Sequence, residues 1–373
     1  RRASARSVMI PRKHKEWLQA IGKYADKLGL KAWVVGGAVR DFYMGKDTKD
    51  LDLTFEGSPE SVAGFCVRTW GGEKRKFSQF NTYRVTLANG LKLDLVQARK
   101  ETYARPGALP QVTPSDIKDD LFRRDFTANA WALSILPKNF GASYDPFGAQ
   151  KAIDKGIIKI LHERSFSDDP TRLYRAARFM GRFGWTAERK TARLMLDASR
   201  EEYPFILSRE RVRQEFIKVL EEKKLHEVFG VLEQYELLPY VYPGLKWADV
   251  ITKGKSVEAK LGICACLLGA SGPEFLLHLH LGKELTHELL GAWNVVDTQK
   301  SPLSALTPLQ ESVIRAMCPG LKHTALEPCF IKGRDLRDMG MNGRKISSAM
   351  ERFSKLQWAG RIVNREQALS FLE

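Results

Sequence analysis

Two glycines followed by a pair of spaced aspartates constrain the start of this chain more than any other feature. Gly36 and Gly37 follow the apolar residues 33–35, which are typical of a short buried strand, and residues 38–44 are typical of a helix that ends at Gly45. The glycines therefore lie in a predicted strand-to-helix turn. In such a turn, backbone N–H groups and a helix N-terminus can approach an anion.

Two aspartates on the next predicted strand are spaced for metal binding. Alternation with a period of two puts Asp50 and Asp52 on one strand face, with their Cα atoms about 6.6 Å apart. Mg²⁺ prefers carboxylate oxygens together with substrate phosphates, so the pair predicts a site for hard cations whose coordination a triphosphate completes. Either motif alone also matches a polar turn or a solvated strand face. Their order and spacing in one unit favour phosphoryl or nucleotidyl transfer.

A third acid, Asp94, is predicted to lie near this pair. Residues 83–87 and 91–96 have strand character and flank an Asn-Gly pair at 89–90, which is typical of a two-residue hairpin turn. Asp94 points away from the leucines of its strand, so it can join the two aspartates on the polar face of the sheet. An Asp94 side chain that simply faces solvent is the alternative.

The charge of the whole chain favours a polyanionic partner. Its 60 Lys and Arg against 44 Asp and Glu give a net charge of +16 and a pI near 9.6. Charge alone does not separate RNA, DNA and a membrane surface. No apolar run approaches the roughly 20 residues of a membrane span, and the Arg-rich residues 1–6 lack the apolar core of a signal peptide. A cytoplasmic location is therefore expected.

Composition along the chain predicts an α+β protein. Up to about residue 144, strands alternate with short helices, whereas nearly everything from residue 168 onward is typical of amphipathic helix. A chain of 373 residues of which 43% are hydrophobic can form about two to four domains with their own cores, or one elongated body of several segments. The cysteines lack paired metal spacing, so we expect them to be reduced and mostly buried. They are Cys66, Cys264, Cys266, Cys318 and Cys329.

A polar cluster interrupts the apolar segment 121–130, which is predicted to be a helix. It contains Arg123, Arg124, Asp125 and Asn129. Arginine can clamp triphosphate oxygens with two hydrogen bonds, and Asp125 can orient an arginine or hold a ribose hydroxyl. Asn129 lies one helical turn after Asp125. A local ion pair on an exposed helix face is the alternative.

A second basic segment begins at Asp168. Asp169 and Pro170 are typical of the N-cap and first residue of a helix. Arginines recur along this helix every third residue beside an apolar stripe, which predicts that the apolar face packs inward and the guanidinium groups face outward. These arginines are Arg172, Arg175 and Arg178.

Asp169 and Arg172 are spaced to read a nucleobase. Cytosine and adenine both present an amine donor beside a ring-nitrogen acceptor, whereas uracil and guanine present a carbonyl beside a ring N–H. Asp169 can accept from the amine and Arg172 can donate to the ring nitrogen. Both contacts become mismatched with uracil or guanine. At roughly 1 to 3 kcal/mol for each buried unsatisfied group, the discrimination is on the order of 10² to 10⁴.

In this order, the segments resemble the bacterial class II tRNA nucleotidyltransferases, which build the 3′-terminal CCA of tRNA, and the related bacterial poly(A) polymerases. The resemblance covers roughly residues 30–220. The matching segments are residues 36–41 with Asp50 and Asp52 (metal and triphosphate), 123–125 (ribose and triphosphate), 144–148 (hinge), 168–172 (base reading) and 210–215 (support of the neck).

The resemblance implies four parts and a reaction. The parts are a nucleotidyltransferase head with a small mixed sheet (1–145), and a helical neck (146–204), body (205–270) and tRNA-binding tail (271–373). The reaction is an in-line attack of the RNA 3′-hydroxyl on the α-phosphate of CTP or ATP, with two Mg²⁺ ions and release of pyrophosphate. The partners implied are the tRNA acceptor end and the two nucleotides, and no obligate protein partner is inferred.

The resemblance also implies roles for individual residues. Asp50 and Asp52 hold the metal ions, and Asp94 assists them. The nucleotide is bound by Gly36, Gly37, Arg40, Arg123, Arg124, Asp125 and Asn129 on the sugar and triphosphate side, and by Asp168, Asp169, Arg172, Arg175 and Arg178 on the base side.

Several activities within this resemblance stay open. The chain can add all of CCA, add only CC or only A as half of a two-enzyme system, or act as a poly(A) polymerase. Residues 101–110 lie where the family has a flexible loop needed for the final A, which argues against a CC-only enzyme. A non-catalytic RNA-binding module is the alternative of a different class, and the intact acidic and basic motifs argue against it.

Three positions depart from the family pattern. Ala149 stands where the hinge usually has a second glycine. Asp168 stands where the family usually has Glu, one methylene longer, and the longer side chain orients the base-reading arginine. Asn81 stands where relatives often have glycine.

Overall fold

The computed structural model describes residues 8–48, 50–77, 81–298, 306–319, 329–358 and 361–371. The chain divides into two compact units, Arg1–Ile206 and Leu207–Glu373. This boundary lies two residues beyond the predicted end of the neck, and the finer division into head, neck, body and tail stays a prediction. The Arg-rich residues 1–6, which the sequence analysis compared with a signal peptide, lie outside the described residues.

The first unit contains all the strands of the described chain. They are β1 (Lys31–Val35), β2 (Asp50–Glu56), β3 (Glu73–Phe77), β4 (Thr82–Thr86), β5 (Lys92–Gln97), β6 (Arg99–Thr102), β7 (Gln111–Pro114), β8 (Ala132–Ser134), β9 (Ser143–Tyr144), β10 (Ile157–Ile158) and β11 (Thr186–Ala187). Its helices are α1 (Arg12–Lys27), α2 (Gly37–Tyr43), α3 (Glu60–Trp70), α4 (Ile117–Phe122), α5 (Ala149–Asp154), α6 (Ser165–Asp168), α7 (Thr171–Phe183) and α8 (Arg189–Arg200).

Seven of these strands form one mixed sheet in the order β3-β4-β5-β2-β1-β8-β9. Strands β2 and β5 are parallel, whereas the other neighbours in this sheet are antiparallel. Strand β2 therefore lies in the interior of the sheet, between β1 and β5. Side chains that leave its polar face stand at the centre of the unit.

One face of this sheet is the core of the first unit. Leu51 and Leu53 of β2 and Leu93 and Leu95 of β5 are fully buried, and helices α1 and α3 contact the sheet. Because side chains alternate along a strand, the residues between these leucines point to the opposite face. The predicted separation of leucines from aspartates is confirmed.

The second unit is helical throughout its described residues. Its helices are α9 (Arg209–Leu220), α10 (Leu225–Gln234), α11 (Val257–Leu267), α12 (Gly272–His278), α13 (Lys283–Thr298), α14 (Pro308–Met317), α15 (Gly333–Asp338), α16 (Gly343–Trp358) and α17 (Arg365–Ser370). Helices α11, α13 and α14 pack on one another, and Ile263, Leu289 and Val313 are fully buried. The predicted α+β class is confirmed.

Two expectations of the sequence need correction. The segment 121–130 is not one helix, because α4 ends at Phe122 and Phe126 has extended backbone. The N–H of Phe126 is taken by its neighbour Asp125 and that of Thr127 by the carbonyl of Lys159, so helical hydrogen bonds do not continue. The cysteines are free, but only Cys66 and Cys264 are buried, whereas the other three are partly exposed.

Among the described residues, none of the helices combines the length and the apolar character that a membrane crossing requires.

Candidate active site

The polar face of the sheet brings three carboxylates together. Asp52 of β2 lies directly opposite Asp94 of β5, and Asp50 precedes Asp52 on the same face. The predicted position of Asp94 beside the aspartate pair is thus confirmed by the strand register. Its part in catalysis stays a prediction.

This cluster concentrates negative charge around Asp52. Burial raises the pKa of Asp52, and the carboxylates of Asp94 and Asp50 raise it further, while Arg124 opposes the rise. A cation placed here would relieve that repulsion. The oxygen donors suit a hard ion such as Mg²⁺, which needs only one or two carboxylates when substrate phosphates complete its coordination. The residues therefore fit a divalent metal, although in the described part of the chain no three acidic, His or Cys side chains form a ready-made metal cage.

Sequence reasoning missed Arg84, the partner of the third carboxylate. Arg84 donates from Nε and Nη2 to the two oxygens of Asp94 at 2.7 and 2.8 Å. The two residues face each other across β4 and β5 because the turn contains three residues, 88–90, and Leu87 N–H donates to the Leu91 carbonyl. The predicted two-residue turn was wrong. It would have placed Arg84 opposite Leu95.

The glycine turn holds an arginine beside the carboxylates. Gly36 has a φ of 73°, a conformation that favours glycine. A Cβ at Gly36 would come within 2.4 Å of Nη1 of Arg124, whereas a Cβ at Gly37 would meet Arg40 at an ordinary 3.5 Å. Helix α2 begins at Gly37, one residue before the predicted start, and the absent side chain of Gly36 makes room for Arg124.

Arg40 is buried and fully engaged. Its Nη1 donates to Oδ1 of Asn129 at 2.6 Å, and its Nε and Nη2 donate to Asp41 at 3.0 and 2.8 Å. Its guanidinium also lies over the rings of Phe179 and Phe183, 5.2 and 5.0 Å from their centroids. These contacts tie α2 to α7. A direct contact of Arg40 with the triphosphate stays a prediction.

A buried aspartate that the sequence reading passed over, Asp120, holds both central arginines. Its Oδ1 accepts from Arg123 Nη2 at 2.7 Å, and its Oδ2 accepts from Arg124 Nη2 at 3.2 Å. Burial by itself raises the pKa of Asp120, but the two arginines outweigh it and hold that pKa below its ordinary value. The sequence did contain a signal for these contacts, because Arg123 and Arg124 follow Asp120 by three and four residues, the spacing of side chains that meet on a helix. The side chain of Asp120 is fully buried and so does not contact a bound nucleotide. We therefore assign Asp120 the positioning of the two arginines.

Asp125 orients its surroundings through a complete set of donors. Its Oδ2 accepts from Arg175 at 2.6 and 2.9 Å, and its Oδ1 accepts from Asn129 Nδ2 at 2.9 Å. Burial alone would raise the pKa of Asp125, yet Arg175 and the Asn129 hydrogen bond lower it to about 2. Of the two predicted functions of Asp125, its contacts match the orientation of an arginine.

The predicted base-reading pair lies at the start of α7. Arg172 Nε is 3.9 Å from Oδ2 of Asp169, while Oδ1 of Asp169 accepts from Thr171 N–H and Oγ1. Arg172 is held from behind, since it donates to Ser165 Oγ and to the carbonyl of Arg123, both at 2.7 Å. The side chain of Asp169 is 25% exposed and that of Arg172 only 5%.

The arginines of α7 are not an outward stripe. Arg172 and Arg178 are buried, with 4% and 9% of their surfaces exposed, and Arg175 is engaged by Asp125. The expectation of outward guanidinium groups was wrong, because Arg172 donates to Ser165 and Arg123, Arg175 donates to Asp125, and Arg178 is buried. A contact of Arg178 with the nucleotide stays a prediction.

The structure describes the surroundings of Asp168 and Asn81, two of the three departures from the family pattern. Asp168 is buried, and Arg164 Nη2 approaches its Oδ1 to 3.2 Å as a charge contact without hydrogen-bond geometry. Arg172 is oriented by Ser165 and by the carbonyl of Arg123 instead of by the shorter Asp168. Asn81 has a φ of 43°, a left-handed conformation that glycine and asparagine tolerate best, and its Nδ2 donates to Gln97 at 2.7 Å.

Comparisons with known proteins agree with this geometry. Residues 32–159 match the poly(A) polymerase head domain, and residues 206–248 match a family described as the probable RNA and SrmB-binding site of polymerase A. An A-adding tRNA nucleotidyltransferase of Halalkalibacterium halodurans is 44% identical over 183 residues, 49% of this chain and 43% of the relative. A protein of the same name from Aquifex aeolicus is 36% identical over 222 residues, 60% of this chain and 27% of the relative.

A solved structure extends the similarity beyond these segments. The apo form II of a CCA-adding enzyme has a TM-score of 0.74 and 26% identity, and the match covers 97% of this chain and 96% of that one. The chain spans less than half the length of the two curated relatives. In these matches the chain is similar to tRNA nucleotidyltransferases and CCA-adding enzymes, and its residues 32–159 match the poly(A) polymerase head domain.

Proposed function

We propose that this chain is an RNA 3′-end nucleotidyltransferase that adds C and/or A residues of the tRNA 3′-terminal CCA, from CTP and ATP and without a nucleic-acid template. The observation that supports it most is a continuous set of contacts across the first unit. Asp120 holds Arg124 beside Asp52 and also holds Arg123. The Arg123 carbonyl in turn accepts from Arg172, the base-reading arginine. Chemistry on the phosphate and selection of the base are thereby linked.

In the proposed reaction the RNA 3′-hydroxyl attacks the α-phosphate in line. A new O–P bond forms while the hydroxyl O–H bond breaks and its proton is released to solvent. The bond between the α-phosphate and the bridging oxygen breaks, and its electron pair leaves with pyrophosphate. Asp50 and Asp52 would hold two Mg²⁺ ions, which would supply positive charge to the triphosphate and lower the pKa of the attacking hydroxyl. Arg124 faces the same charge centre, so it meets the triphosphate, while Asp94 assists at the attacking hydroxyl.

Base selection is assigned to the exposed edge of the reading pair. Asp169 accepts from the amine of adenine or cytosine, and Arg172 donates to the ring nitrogen. Arg172 is already fixed by two 2.7 Å hydrogen bonds, so its donor is held in place before the nucleotide arrives. A fixed donor rejects uracil and guanine because it cannot turn away from their ring N–H.

Among the possible additions, the final A is favoured. The two curated relatives described above carry the name A-adding tRNA nucleotidyltransferase, and this chain contains the loop region 101–110 that a final A requires in the family. Because tRNA is the proposed substrate, we also propose a cytoplasmic location and a reaction that needs no protein partner. A poly(A) polymerase differs by repeated addition of A to one RNA.

The test is nucleotide addition by the purified chain alone. Three tRNAs, ending before CCA, after its first C and after CC, are incubated with Mg²⁺ and one nucleoside triphosphate at a time. We expect A added once to the tRNA ending in CC, with or without C addition to the shorter ones. Long A tails would identify a poly(A) polymerase, and no addition to any tRNA would support the binding-module alternative.

Two variants complete this test. Asp52→Ala removes the central carboxylate and is expected to abolish addition, with a loss of at least about 10³-fold. Asp26→Ala removes an exposed aspartate on α1 of the same unit and is expected to keep full activity. Undiminished extension by Asp52→Ala would remove the metal assignment, and addition of UMP or GMP as readily as AMP would remove the base-reading assignment.

A further inference from the structure

The carboxylate face of the sheet continues as a row of charged residues toward the sheet edge. Asp52 is paired with Asp94, Asp94 with Arg84, and Arg84 with Arg75 of the edge strand β3. Directly paired residues in neighbouring strands share a face. The row therefore runs from two acids to two guanidinium groups over three strand spacings, each about 4.8 Å.

An exposed aromatic ring lies beside the basic end of this row. Phe77 is two residues after Arg75 on β3, so both side chains leave the same face. Phe77 is 39% exposed. The guanidinium carbons of Arg75 and Arg84 lie 5.5 and 5.8 Å from its centroid, which is the range of cation–π contacts.

Arginine beside an exposed aromatic ring is the chemistry that binds single-stranded nucleic acid. Guanidinium groups donate to phosphate oxygens in pairs, and an aromatic ring stacks on a base whatever its identity. The position of these residues on the sheet also relates them to the carboxylates. A strand that lies over Arg75 and Arg84 reaches the carboxylates within one further strand spacing.

We propose that Arg75, Arg84 and Phe77 form the binding site for the 3′ end of the RNA to be extended. The two guanidinium groups bind its last phosphates and Phe77 stacks on a terminal base, which directs the 3′-hydroxyl toward Asp94. The inference rests on the proposed function, whose reaction requires an RNA 3′ end at the carboxylates. It names the part of this chain that holds that end.

The ion pair between Arg84 and Asp94 would be exchanged when RNA binds. When RNA is absent, Asp94 occupies both donors of Arg84. An incoming phosphate takes over these donors, and the two oxygens of Asp94 become available at the reacting hydroxyl. This exposed ion pair contributes little to stability, so its exchange costs little.

Protection of the sheet edge is the competing explanation for basic residues on β3. Charged side chains on an edge strand hinder pairing with another chain, and they do so on either face. All five residues of β3 are exposed. Lys74 and Lys76 alternate with Arg75, so they lie on the opposite face, where a Cβ at Gly64 of α3 would be 3.8 Å from Lys74 Nζ. These lysines provide a control for charge without the proposed position.

The experiment compares two double variants of the whole chain, Arg75→Gln with Arg84→Gln and Lys74→Gln with Lys76→Gln. Each removes two positive charges from the same region. Binding of a fluorescent tRNA that ends in CC is measured with EDTA and without nucleotide, so that catalysis does not enter. Circular dichroism checks that both variants are folded.

We expect the arginine variant to bind this tRNA at least about tenfold more weakly, and its slope of log K against log salt to decrease by about 1.4, for two phosphates. The lysine variant is expected to change the affinity by less than about twofold. Phe77→Ala is expected to weaken binding about fivefold or more. In turnover, the KM for tRNA is expected to rise in the arginine variant while the KM for ATP stays unchanged.

Equal losses of tRNA affinity in the two double variants would overturn the proposal, because they would show only a general electrostatic attraction between basic side chains and RNA. An unchanged tRNA affinity of the arginine variant would also overturn it. Failure of the proposed function is distinguishable. In that case the wild-type chain adds no nucleotide to any tRNA, whereas the comparison of binding between the two variants can still be made.

Discussion

At the scale of single residues, Gly36 carries the strongest local constraint. Alanine at Gly36 is expected to destabilise the chain by at least about 1 to 2 kcal/mol, because its φ of 73° is unfavourable for a residue with a Cβ. The added Cβ also meets Arg124, so nucleotide addition should fall as well. Urea unfolding and the tRNA assay measure the two effects.

Gly37→Ala is the matched control for this prediction. Its Cβ makes only an ordinary contact with Arg40, and Gly37 is the first residue of α2, where alanine is a better helix former. We expect its unfolding free energy to change by less than about 1 kcal/mol. Equal destabilisation by both substitutions would contradict the role of Gly36.

Asp125 predicts a dependence of stability on pH. Its pKa in the folded chain, about 2, is below its ordinary value of 3.8, so its ionised form stabilises the folded state above pH 4 and this contribution is lost as the pH falls toward 2. At about 1.4 kcal/mol for each pKa unit, the contribution is about 2.5 kcal/mol. Between pH 5 and 3, the wild-type chain should lose about 1 kcal/mol more unfolding free energy than Asp125→Asn.

The control for the pH experiment is Asp26→Asn, which changes an exposed aspartate. Its stability should follow the wild-type pH dependence. If Asp125→Asn followed that dependence too, the low pKa of Asp125 would be wrong.

At the scale of elements, Asp120 is the residue through which α4 organises the site. Asp120→Asn leaves two arginines largely buried without their shared carboxylate. Loss of one partner of a buried ion pair costs about 3 to 5 kcal/mol, so a loss of unfolding free energy of this size is expected in urea unfolding, together with reduced nucleotide addition.

The control is Asp119→Asn, at the preceding residue of α4. The Asp119 side chain accepts from Ser115 instead, so its replacement should lower the unfolding free energy by less than about 1.5 kcal/mol. Similar costs for both would contradict the central position of Asp120.

The elements also show where reasoning from the sequence succeeded. Alternation along β2 and β5 placed Asp50, Asp52 and Asp94 on one face, because a period of two is set by the strand itself. The same reasoning failed for the hairpin, since a turn of two or three residues is compatible with the Asn-Gly signal. A difference of one residue in the length of the turn decides whether Arg84 faces Asp94 or Leu95.

At the scale of the whole molecule, the net charge of +16 predicts salt-dependent RNA binding. Each phosphate that the chain neutralises contributes about −0.7 to the slope of log K against log salt for a single strand. We expect a slope steeper than about −2, which corresponds to at least about three phosphates. Titrations of tRNA at 50 to 200 mM salt measure it, and an affinity that changes less than about twofold over this range would contradict the expectation.

The class of the fold, the strand-turn-helix at the glycines and the shared face of the three carboxylates follow from the amino-acid sequence. These features depend on local periodicity and on residue types whose conformational preferences act within a few neighbours. Tertiary structure alone decided that Arg40, Arg172 and Arg178 are buried, that Asp120 joins the arginines, and that Arg84 faces Asp94. A guanidinium group can be solvated or satisfied by a distant carboxylate or carbonyl equally well, and only the packing of α4, α7 and the sheet supplies that partner.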